Sequence, residues 1–401
     1  MDSQLRLKII LILGALSALG PLSIDMYLPA FSSISESFAV DQSRVELSLA
    51  SFFIGLSIGQ LLYGTLTDRF GRKKPLYVGL VVYILSSIGC ALAGSIEQLI
   101  LLRFVQALGA CAGMVISRAI VRDLFDHRES VKIFSLLMLV MGVAPILAPL
   151  LGGFIATQFD WHMIFWFVGI VAALCLAAIV TMLPESKEDD PAVHIRESFQ
   201  TYAMVLKDKN FVRNVFTGGF AQAGMFAYIT ASPNVMINVF GVPPEKFGLV
   251  FGSNAAGLIL MAQVNAYLMK WWGPQQVLKV SVLLLATLGG FVFGSSVLDL
   301  GFWGIVIPLF GYIAVMGITF PNATANSLAG QGAKAGAASA LIGTMQFVLA
   351  STAAGLMSLF HAPSAVPMAA MVACCGVLSA ATYLSKTHTA HGTSGTNPRT
   401  S

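Results

Sequence analysis

Charge is scarce in this chain: Asp, Glu, Lys and Arg make up 10% of its 401 residues, where soluble domains carry about 25%. What charge there is does not gather into a patch, so the net +4 gives no reason to expect a nucleic-acid partner. The five cysteines, Cys90, Cys111, Cys175, Cys374 and Cys375, all lie in apolar runs and none has metal-ligand spacing, so they read as packing residues and report no redox compartment. A phosphate-binding loop of the type G-x-x-x-x-G-K-[ST] is missing, which argues against direct ATP drive within this chain. No histidine lies inside an apolar run either: His127, His162, His194, His361, His388 and His391 fall outside the runs or at their ends. An intramembrane enzyme, which would need a nucleophile-base pair or a metal cluster there, has nothing to be built from.

What the chain has is hydrophobic length. It is 56% hydrophobic, with a mean hydropathy of +0.80. A helix needs about 20 apolar residues to cross a bilayer, and that ruler marks twelve spans. They lie near 9–31, 45–67, 75–94, 99–121, 133–157 and 162–183, then 212–239, 247–269, 277–298, 302–326, 335–359 and 365–384. The runs are continuous rather than alternating, so helices are expected and not a barrel. Arg6 and Lys8 before the first run resemble a signal peptide, but similar runs follow repeatedly, so the first is read as an anchor. With both termini inside, only Arg44 and Lys246 of the 23 basic residues fall in outer loops. That asymmetry follows the positive-inside rule, and an odd number of spans would destroy it.

The expected architecture is an all-α membrane protein with twelve transmembrane helices in two six-helix halves. Residues 1–183 form the first half and 211–384 the second. Between them, 184–210 reads as a cytoplasmic linker whose Phe199, Tyr202, Val205 and Leu206 recur at helical spacing, as in a helix lying on the membrane surface. The small, polar tail, 385–401, is expected to be disordered.

Four stretches carry a more specific signal. "GTLTDRFGRKKPL" (64–76) joins spans two and three, with Gly71 suited to a tight reversal. Its counterpart between spans eight and nine, "KWWGPQQ" (270–276), keeps a glycine, Gly273, but loses most of the charge. "LLRFVQALGACAG" (101–113) holds Arg103, Gln106 and Gly109, and "GVAPILAPLLGG" (142–153) gathers Gly142, Pro145, Pro149, Gly152 and Gly153. "PLSIDMYLPA" (21–30) and "GGFAQAGMFAYITASP" (218–233) complete the set. Together they resemble the major facilitator superfamily, its twelve-span drug:proton antiporters, and among these the Bcr/CflA subfamily. Ala148 stands where that family's fifth-span motif has a glycine before Pro149.

The resemblance implies a fold of two rocking halves in a bacterial inner membrane, with both termini cytoplasmic. It implies export of bicyclomycin-like or sulfonamide-like drugs in exchange for entering protons, and a monomer. No cofactor is expected, the proton being the coupling ion. A metabolite exporter, for example of amino acids such as cysteine, or an importer on the same fold, is the alternative. A passive channel is less favoured, because it needs no buried titratable group.

Proton coupling requires a group that loads and unloads a proton inside the membrane. Of nineteen Asp and Glu residues only Asp25 lies well inside a span; Glu46 sits at an outer edge, and the second half has no internal carboxylate. Asp25 is therefore the coupling candidate, or else a fixed brace. Arg103, the only basic residue well inside a span, is expected at similar depth and within plausible contact of Asp25, as participant or anchor. For the gate, the resemblance implies that Asp68 faces the eleventh helix on the inner side, whose N-terminal dipole attracts an anion. Gly64, Arg69, Gly71, Arg72, Lys73 and Arg122 complete that clamp. A polyspecific site needs apolar and aromatic walls with a few polar groups. The cavity candidates are Tyr27, Met114, Met225, Phe226, Tyr228, Asn234, Asn254, Met345, Gln346 and Phe347.

Overall fold

A computed structural model describes residues 3–187, 195–360 and 364–385. The first half contains α1 (Ser3–Asp25), α3 (Gln42–Arg69), α4 (Lys73–Ala91), α5 (Ile96–Leu124), α6 (His127–Gln158) and α7 (His162–Met182), with a short α2 (Phe31–Phe38) after α1. The linker helix α8 (Ile195–Leu206) follows. The second half contains α9 (Lys209–Pro233), α10 (Pro244–Leu268), α11 (Pro274–Val297), α12 (Gly301–Leu328), α13 (Ala335–Met357) and α14 (Val366–Leu384).

Among the described residues, eleven stretches are helical, long and apolar enough to cross a membrane. The twelfth, α9, has the length at 25 residues but carries Lys209, Arg213, Asn214 and Gln222. Its burial among α12, α13 and α14 lets it keep a more polar sequence than a lipid-facing helix could. Elsewhere large apolar side chains point outward, Leu85, Leu101, Leu174 and Ile307 among them, each more than 60% exposed. In a bilayer these meet lipid rather than water.

The two halves repeat one packing plan. In the first, α3 packs on α5, α4 on α5 and α7, and α1 on α5, α6 and α7. In the second, α10 packs on α12, α11 on α12 and α14, and α9 on α12, α13 and α14. The halves meet along two seams, α3 against α13 and α6 against α10, which the same repeat interchanges. Such internal symmetry is a hallmark of secondary transporters.

The linker helix α8 packs against the bundle. Tyr202 and Val205 pack with Phe211, Val215, Ala338, Leu341 and Ile342, so α8 covers the α3–α13 seam at its basic end. Residues 188–194 and the tail beyond Ser385 lie outside the described residues.

Candidate functional site

The first span is not one helix. α1 ends at Asp25, Leu28–Ala30 form a 3-10 turn, and α2 restarts at Phe31. Pro29 falls in the turn, and its missing N–H cannot continue an α-helical ladder. Residues Asp25 to Phe31 are nonetheless all buried. One cause is α6: a Cβ added to Gly152 would stand 2.0 Å from the Met26 carbonyl oxygen, so only glycine lets α6 come this close to the break. Gly153 likewise lies against the Pro244 carbonyl at the start of α10, and Gly142 against Ile259. The Gly/Pro-rich helix thus packs on α1 and on the second half at once. Ala148, fully buried, leaves that approach intact.

At this break Asp25 is only 4% exposed, and among the described residues its carboxylate has no ion pair and no side-chain hydrogen bond. Tyr228 of α9 lies within its electrostatic reach. The Tyr228 hydroxyl accepts a 2.8 Å hydrogen bond from Asn254 Nδ2 of α10, and Tyr228 stacks on Phe251. Asn254 Oδ1 is buried with no partner. An acid from one half therefore faces a phenol and an amide from the other.

Arg103 is not part of that group. It is fully buried, but it donates from Nη1 to Gln106 Oε1 (2.7 Å) and from Nη2 to the Ser23 carbonyl (2.9 Å). Ser23 lies in the last turn of α1, where carbonyls lack helical partners, so Arg103 caps the broken helix. Its guanidinium also lies over Phe52, Tyr27 and Phe165, at 4.2, 4.6 and 5.8 Å from the ring centroids. Gln106 in turn donates to Ser87. The expected contact with Asp25 is not made: the guanidinium bonds Gln106 and the Ser23 carbonyl instead.

The cavity candidates divide. Phe226 of α9 and Phe347 of α13 meet Phe53 of α3, with centroids 4.6 and 6.4 Å away, forming an aromatic contact between the halves beside half-buried Met225. Gln346 is buried on α13. Tyr27 and Met114 do not face the other half. The Tyr27 hydroxyl bonds Ser48 (2.8 Å) under Arg103, and Met114 packs on Gly20 of α1. Met345 packs in the cluster below α8, at the basic end. Asn234 lies in a π-turn, Asn234–Val239, at the opposite end, where its Oδ1 accepts from Asn238.

At the basic end Gly71 makes its turn with φ +71°, a left-handed conformation suited to glycine. Arg72 is buried, and its main partner is Asp123 (Nε to Oδ2, 2.7 Å), with Asp68 at 3.3 Å. Lys187 also reaches Asp68, at 3.2 Å. Glu185 accepts from the backbone N–H groups of Arg72 and Lys73 at the start of α4. Two expectations change accordingly. Asp68 bonds Arg72 and Lys187 rather than α13, and Asp123, not the exposed Arg122, completes the network. Arg69 and Lys73 lie over Phe70 and Tyr77. Gly64 lies at the seam, near Ala340 and the Tyr202 hydroxyl.

Sequence reasoning missed three groups. Asp123 and Glu185 fall just past spans four and six in the sequence, and nothing local marks them out. Glu46, placed at an outer edge, is 5% exposed. Its spacing from Ala50 and Phe53, four and then three residues on, was the available signal.

Two six-helix halves with an unpartnered acid at their seam define a secondary-transporter architecture. Residues 13–355 match the Major Facilitator Superfamily, and the chain belongs to that family: it is a transporter, not an enzyme. The chain is 34% identical to the Uncharacterized MFS-type transporter YdgK of Bacillus subtilis (strain 168), over 95% of this chain and 96% of that one. It is 31% identical to the Bicyclomycin resistance protein homolog of Haemophilus influenzae, over 93% and 94% of the two chains. Among solved structures, a bacterial homolog of the human lysosomal transporter Spinster, in an inward-facing and occupied conformation, superposes with a TM-score of 0.75 at 14% identity. That superposition covers 96% of this chain and 97% of the other.

Proposed function

We propose that this transporter is a proton-coupled multidrug efflux antiporter working by alternating access. Its two halves, 1–183 and 211–384, rock about the α3–α13 and α6–α10 seams, and the chain acts as a monomer. It sits in the bacterial inner membrane with its basic end and both termini cytoplasmic, the orientation that the distribution of Lys and Arg favours. The observation that carries the reading is Asp25, buried at the seam with no partner charge among the described residues. An unpaired carboxylate is expensive in such a site. It is tolerated with a proton, and it can lose that proton when the seam opens it to water. Tyr228 and Asn254 stand opposite to sense that change or to meet a substrate's polar groups. The aromatic contact of Phe53, Phe226 and Phe347, with Met225 and Gln346 beside it, supplies an apolar wall. The name of the Haemophilus relative supports drugs as cargo and export as direction.

A drug-susceptibility panel in an efflux-deficient host, comparing the native chain with Asp25→Asn, tests substrate class, direction and coupling together. The native chain is expected to raise tolerance to several unrelated compounds and the folded, inserted variant to none. Equal protection by both would remove Asp25 from the mechanism.

A further inference from the structure

A second carboxyl is buried between the halves. On α3 the residues Gln42, Glu46, Ala50, Phe53, Ser57, Gln60 and Gly64 fall on one face at helical spacing. Along that face Gly64 meets Ala340, Gln60 meets Gly343, and Ser57 and Thr344 bond each other's backbone carbonyls. Further on, Phe53 meets Phe347, and Ser351 donates to the Ala50 carbonyl. The same antiparallel register sets Glu46 opposite the last turn of α13, where Ala354 and Ser358 are buried. Above it, Gln42 Oε1 accepts from Asn238 Nδ2 (2.7 Å), and Ser32 donates to Asn238 Oδ1. Glu46 is thus enclosed between a neutral amide lid and the aromatic contact. Among the described residues it has neither an ion pair nor a side-chain hydrogen bond.

Among the described residues no cation compensates it. α13 contains no titratable residue. On α9 the basic groups Lys209 and Arg213 lie at the other end, and Tyr228 faces Asp25. On α5 Glu97 pairs with Arg44, and Arg103 is held by Ser23 and Gln106. Glu36 of α2 is exposed, while α4 and α8 touch α3 only toward the basic end.

We propose that Glu46 is a second proton-binding carboxyl of the transport cycle, and that its protonation is what lets the α3–α13 seam close at the end away from the 64–76 loop. This rests on the antiport reading, in which that end opens to the outside. Outside protons neutralise Glu46 and the seam closes over it; an ionised Glu46 holds the seam apart. Asp25 alone would bind a proton without tying it to this seam.

Ser358→Cys, a buried and near-isosteric probe, reports the opening. A membrane-impermeant maleimide is applied from outside to cells carrying the full chain, with background taken from the chain lacking the probe. At each external pH the labelling rate is divided by that of the same probe in Glu46→Gln, which cancels the thiol's own pH dependence. The ratio is expected to be well above one at pH 8 and to fall toward one at pH 6, by up to about tenfold per pH unit. A ratio that stays constant with pH overturns the proposal. Should Glu46→Gln fail to insert, Glu46→Asp serves instead: the native chain and this variant must both label faster at pH 8 than an exposed control cysteine's pH dependence explains, and loss of that excess in both overturns it. Labelling does not use transport. Substrate-driven proton movement in Asp25→Asn therefore tests the antiport reading separately.

Discussion

Arg103 hydrogen-bonds the carbonyl of Ser23, two residues before Asp25, yet makes no ion pair with Asp25 itself. The cation of the fourth span holds the broken end of the first in place and makes no ion pair with the acid at that end.

Arg103→Ala is expected to act on stability first. It strands Gln106 Oε1 and the Ser23 carbonyl, at a cost on the order of 3 kcal/mol, read as a lowered unfolding midpoint in detergent. Arg103→Lys keeps the charge but not the planar fork and should fall between the two. An unaltered midpoint in both variants would count against the capping role.

Gly152→Ala should impair transport more than Gly153→Ala. The added methyl meets the Met26 carbonyl at 2.0 Å in the first case and the Pro244 carbonyl at 3.0 Å in the second. Overpacking of this kind costs about 1–3 kcal/mol, here charged to the state in which α6 lies against the break. Drug efflux at matched expression gives the ranking.

Asp123→Asn should weaken the basic-end network more than Asp68→Asn, because Arg72 is buried against Asp123 and only edged by exposed Asp68. The expected loss for Asp123→Asn is about 1–3 kcal/mol, measured as thermal stability. An effect of Asp68→Asn on transport rate without one on stability would place Asp68 in the moving gate.

Tyr202 ties α8 to the seam through a 3.2 Å hydrogen bond with Thr65. Burial raises its phenol above the ordinary value of 10.0. A raised acid is neutral in the fold at every pH below its unfolded value, so this contribution is complete below about pH 10 and lost only above it. Tyr202→Phe should cost about 1 kcal/mol, equally at pH 6 and pH 8. A cost that differs between those two would show another titrating group at α8.

Much of this was legible in the sequence. Long apolar runs and the asymmetry of Lys and Arg are read directly by a bilayer, so helices, their number and the two halves follow from local rules. Even α9, the most polar of the twelve, was found by length. Pairing was not legible. Nothing near Arg103 in sequence says that its partner is a backbone carbonyl, because the break that frees Ser23 depends on Pro29 and on Gly152 from a distant helix. The Arg72–Asp123 bond joins residues fifty-one positions apart, and depth misled for Glu46, since a residue near a helix end is buried when another helix covers it.

The most direct measurement is proton movement in reconstituted vesicles, followed with a trapped pH-sensitive dye while a drug identified in the susceptibility panel is added. Native protein should move protons on drug addition and Asp25→Asn should not, although it still binds the drug. Drug-driven proton movement at the native rate in Asp25→Asn would contradict the account.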